Sequence, residues 1–217
     1  MNFIKRINQD AKRLIVMGGF ALVALTVAVQ PMAAQSDDIE FDLQPNPGVV
    51  GCLGTQGGPT PTAHVKIVRG KQNDTLTITG QNIKPHLAFD MFTVQRSNLL
   101  SDGTVDPNFT NFGLAWYQSD LQTDGQGKFT AIIKTILLDQ IFGFDPDAAL
   151  TPLNTFHVGF WFNNPKSAQK CGFDPNKPTP FNGEHKAGPV AMITVPDANT
   201  NLGPLCTNPG DGGTCNP

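Results

Sequence analysis

His64-Val65-Lys66-Ile67-Val68-Arg69 and, after a four-residue break, Asp74-Thr75-Leu76-Thr77-Ile78-Thr79 carry the pattern that decides this fold. Each stretch alternates apolar and polar residues with period two, the signature of a half-buried strand. Gly70-Lys71-Gln72-Asn73 between them supplies turn residues, so the pair reads as a hairpin. The same logic extends outward. Residues 87–95 are more continuously apolar and read as a buried strand. Residues 112–123 and 128–138 flank Asp124-Gly125-Gln126-Gly127, a strong hairpin signal. Residues 155–163 and 189–195 complete the set. Along 155–163, His157, Gly159 and Trp161 share one face, while Val158, Phe160 and Phe162 share the other. Residues 139–150 allow a helical turn or two, and no segment sustains a helical apolar stripe. About seven strands without strand–helix alternation predict an all-β fold, an antiparallel Greek-key β-sandwich with long loops.

Composition agrees with that frame. The 217 residues include 22 glycines and 18 prolines, so turns are frequent. Fifteen Phe against one Tyr predict a phenyl-rich core with few buried hydroxyls to satisfy.

The N-terminus reads as an export signal. Lys5, Arg6, Lys12 and Arg13 precede an uncharged apolar run at 14–29, and small residues Ala33 and Ala34 follow it. The run is short of the roughly 20 apolar residues a membrane span needs. Cleavage is expected after Ala34. A retained N-terminal anchor is the rival reading. Val49-Val50-Gly51-Cys52 resembles a lipid-attachment box but lies too far from the apolar run to serve as one. The domain plan is a signal peptide at 1–34, an extended Pro/Gly-rich leader at 35–62, a sandwich at 63–196 and a tail at 197–217. Residues 1–34 hold four of the fifteen basic and one of the eighteen acidic residues, which leaves 11 against 17, a net charge near −6. That balance excludes nucleic acid as a partner, because phosphate binding needs clustered Lys and Arg. It also disfavours an anionic membrane surface once the signal is removed.

All four cysteines, Cys52, Cys171, Cys206 and Cys215, lie beyond the signal, and an even count in an exported chain implies two disulfides. Of three possible pairings, Cys206–Cys215 is favoured by its compact turn-rich connector, which leaves Cys52–Cys171.

Asp74-Thr75-Leu76-Thr77-Ile78-Thr79-Gly80 with Lys84-Pro85, and Phe156-His157-Val158-Gly159-Phe160-Trp161-Phe162, resemble strands of exported Greek-key sandwiches such as copper–zinc superoxide dismutases and chordin-type domains. The dismutase resemblance implies a His-x-His copper pair on the second stretch. Gly159 stands where the second His would be, so the resemblance supports architecture and argues against dismutase activity. Other phrases, among them Ala115-Trp116-Tyr117-Gln118 and Pro180-Phe181-Asn182-Gly183-Glu184-His185, resemble a secreted bacterial family of undefined activity.

Familiar catalytic signatures are missing from the sequence: no nucleophile elbow, zinc-protease pair, phosphate loop or dinucleotide fingerprint occurs. Asp90 is an acid inside an apolar run and must be paired, with Arg96 or a bulge donor as the expected partner. Asp90, His157, Glu184 and His185 could form a copper or zinc site only if the fold brought them together. Asp120-Leu121-Gln122-Thr123-Asp124-Gly125 echoes a calcium loop, but its twelfth position is Ala131, and a hairpin turn explains it. Trp116 and Trp161 are the ligand-contact candidates for a carbohydrate-binding module. The leading expectation is a secreted or cell-surface non-enzymatic protein that binds or assembles with an unknown extracellular ligand or partner protein, without a cofactor. A secreted metal-binding protein or metal-dependent hydrolase is the alternative.

Overall fold

The structure is a computed structural model that describes residues 38–70, 73–135, 155–176 and 187–206. The expected signal and its cleavage point, the 139–150 turns, Glu184, His185 and Cys215 lie outside the described residues. Nine strands are present there: β1 (Ile39–Pro45), β2 (Thr62–Val68), β3 (Asp74–Gln81), β4 (Ala88–Val94), β5 (Ala115–Gln122), β6 (Phe129–Thr135), β7 (Thr155–Phe162), β8 (Val190–Ile193) and β9 (Leu205–Cys206). A four-residue helix, α1 (Val50–Leu53), and a 3₁₀ helix at Pro165–Cys171 are the helical elements among the described residues. No described helix is long and apolar enough to cross a membrane.

Every strand pair is antiparallel, in the order β5-β4-β7-β8-β1-β2-β3-β6, with β9 beside the start of β7. The seven strands expected from periodicity are all present. Their arrangement corrects the sandwich expectation, because the strands form one continuous path nearly closed into a barrel instead of two separate sheets. The reason is β1. Its first part, at 39–43, pairs with β2, and its end, Gln44 and Pro45, pairs with β8, so one strand joins both halves. Pro45 lacks an N–H and sits at the strand's last position, where the ladder tolerates that loss. The segment expected as a leader thus supplies a strand inside the sheet. Its alternation of Ile39, Phe41 and Leu43 with Glu40, Asp42 and Gln44 is legible in the sequence.

The two ends of the path, β5 and β6, are joined by the turn at 123–128. Asp124 organises that turn, with its Oδ1 accepting from the backbone N of Gln126 at 2.8 Å and Lys128 at 2.9 Å. These hydrogen bonds hold its carboxyl below the ordinary carboxylate value. The hairpin-turn reading of the calcium-like stretch is the one seen. Gly127, at φ 72°, is required here, because a Cβ would overlap the Ile83 carbonyl oxygen.

Apolar faces of both halves meet in one interior core that includes Val65, Ile78, Phe89, Val158, Phe160 and Phe162. Its aromatic members are packed edge-on or tilted, as in Phe89–Phe160, whose ring centroids are 4.9 Å apart at 61°. The disulfide Cys52–Cys171 ties α1 to the 3₁₀ helix across a sequence separation of 119. Cys206 lies on β9, and its expected pairing with Cys215 falls outside the described residues.

A second, smaller cluster lies on the other side of β4, β7 and β8. Trp161 is its centre, 1% exposed, with Phe92 at 5.4 Å and Phe112 at 5.0 Å meeting its ring edge-on. The β4–β5 connection, residues 95–114, contributes Leu99 and Phe112 and covers that face. Its own bonds fix it: Gln95 N to Leu114 O and Arg96 N to Phe112 O are both 3.0 Å, and Asp106 N to Asn98 O is 2.9 Å. A connection this long is uncommon in a compact domain and often serves binding.

Candidate functional site

The outer face of β7 carries His157, Gly159 and Trp161 as the alternation predicts, and the structure decides what each does. Trp161 is a buried core residue, which removes it as a surface ligand contact. Trp116 is half-buried, and its ring packs edge-on against Phe156 with centroids 5.5 Å apart. Gly159 makes room for the Trp161 ring. A Cβ there would stand 3.0 Å from Ile193 Cγ1 and 3.1 Å from the Trp161 ring, so a side chain at that position would crowd both.

Asp90 is 2% exposed, and its Oδ1 accepts from Asn163 Nδ2 at 2.8 Å. Asn163 is therefore a partner of Asp90, whereas Arg96 lies six positions along the chain, about 20 Å away past the end of β4. Asp90 lies opposite Trp161 in the β4–β7 ladder, whereas His157 lies opposite Val94. Four strand positions, about 13 Å, separate them. They do not converge, and no group of three or more His, Cys, Asp or Glu is placed to hold a metal among the described residues.

His157 instead borders a cavity of about 490 Å³ beyond the ends of β4 and β7. The 95–114 connection forms one wall, with Gln95, Arg96, Phe109 and Asn111; the loop after β8 forms the other, with Thr200 and Asn201. That volume falls within the range of small-molecule sites, about 300–1,000 Å³. The second wall is self-supporting. Asp197 Oδ1 accepts from Asn199 N at 3.0 Å, Thr200 N at 2.9 Å and Thr200 Oγ1 at 3.0 Å, which lowers its carboxyl below the ordinary value. Gly203 lets this loop reach the strand, because a Cβ there would overlap the Phe156 carbonyl and crowd the His157 ring.

The His157 ring is 3% exposed. Its Nδ1 is 3.1 Å from the Thr194 carbonyl oxygen and 3.0 Å from Thr194 Oγ1. A carbonyl only accepts, so Nδ1 carries the proton and donates, and Nε2 keeps the lone pair. Burial pushes its pKa down to about 4 from 6.5, partly opposed by the Thr194 hydrogen bond. The ring is neutral near pH 7 and offers the cavity an acceptor. A depressed folded pKa also predicts acid instability. Stability from this group is complete above about pH 6.5 and is lost as pH falls towards 4, a change of about 3 kcal/mol. Urea titrations at pH 7 and pH 4 should show that loss, and His157→Gln should remove this component of it.

Gln95 is the second buried polar group on the wall, 2% exposed. Its Oε1 accepts from Leu114 N at 2.9 Å, which fixes which amide atom is oxygen. Its Nε2 is buried without a hydrogen-bond partner among the described residues. An unmet buried donor costs about 1–3 kcal/mol, so the position is costly unless something else accepts. Sequence reasoning singled out His157 and missed Gln95, Asn111, Thr200 and Asn201 as its neighbours. The available signal was the length of the 95–114 connection and its Asn, Asp and Ser content. Comparison with protein-family models, curated proteins and solved structures finds no match to this chain.

Proposed function

We propose that this protein is a non-enzymatic extracytoplasmic binding module that holds a small polar ligand in the His157 cavity. The observation that carries the proposal is a cavity of ligand size, about 490 Å³, whose lining includes two buried polar side chains, Gln95 and His157. The two walls are held by their own hydrogen bonds, so little ordering opposes binding. His157 accepts, and Asn111, Thr200 and Asn201 add amide and hydroxyl groups to the lining, which suits a ligand that both gives and takes hydrogen bonds. A histidine with its pKa near 4 is a weak general base at neutral pH, which favours binding over catalysis. The export pattern at the N-terminus and the Cys52–Cys171 disulfide support an oxidising destination.

Thermal unfolding with a panel of sugars, organic acids, amino acids and nucleosides tests this reading. At least one class should raise the melting temperature by mass action. Thr110→Trp, a substitution at an exposed residue on the cavity wall, should fill the space and abolish that rise without lowering the melting temperature of the free protein. Silence across the panel, or a rise that survives Thr110→Trp, would contradict it.

A further inference from the structure

We draw no further inference here: the strongest candidate, the open seam between β5 and β6, where Trp116, Ala131 and Ile133 are half-buried, carries none because nothing among the described residues shows what covers it.

Discussion

Replacing Cys52 and Cys171 together with alanine should lower the unfolding free energy by about 3–5 kcal/mol. The bond closes a chain segment across a separation of 119 residues. In the chain-entropy model, a loop of about 100 residues is worth about 4.7 kcal/mol, because closure removes freedom from the unfolded chain. The native side adds to this. The α1 helix has four residues and no side-chain cap, so it cannot hold itself. Cys52 and Leu53, 3% and 0% exposed, fasten it to the interior core, and Cys171 anchors the 3₁₀ helix against it. For a chain of this size each kcal/mol shifts the melting temperature by about 2–4 °C, so a drop of roughly 10 °C should accompany the loss. Urea unfolding of the double variant against the parent gives the number. A loss below about 1 kcal/mol would mean that the bond closes a contact already secure without it.

Phe160→Ala should cost about 3–5 kcal/mol. The side chain is fully buried, with Phe89 at 4.9 Å and Phe129 at 5.7 Å between ring centroids. Phe89 belongs to β4 and Phe129 to β6, so the Phe160 ring contacts both halves of the nearly closed sheet. Truncation removes the transfer free energy of the ring and leaves a cavity that walls of two different elements cannot collapse to fill. Ile132→Ala is the matched control. Ile132 is 67% exposed on β6, and its loss should change stability by no more than about 0.5 kcal/mol. Similar costs at the two positions would contradict the assignment of the interior face.

Period-two alternation was legible wherever it stood between clear turns. The β2–β3 hairpin, the two faces of β7 and the Asp124 turn all follow from local chemistry. Strand β1 carries the same alternation, but its acidic residues and the prolines beside it read as a leader. Only pairing with β2 and β8 shows why it is a strand, and pairing between distant segments is not encoded in local periodicity. That missed strand is also why two sheets were expected where one nearly closed sheet exists. The site divided in the same way. His157 stood out because a ring nitrogen on a strand face must find a partner. Thr194, Gln95 and Thr200 could not be joined to it from the sequence, since loops of two different connections bring them together. Asp90 looked unusual for a sound reason, but its answer is Asn163, a residue at the end of a neighbouring strand.

The proposed ligand site is the cavity beside His157. The most direct measurement is a nuclear magnetic resonance titration of the isotope-labelled protein with whichever panel compound stabilises it. Saturable shifts are expected for the His157 ring and for the backbone amides at 95–111 and 196–202. His157 Nε2 should change from a free acceptor to a hydrogen-bonded one while Nδ1 keeps its proton. Shifts centred elsewhere on the barrel, with the His157 ring unmoved at saturation, would contradict it.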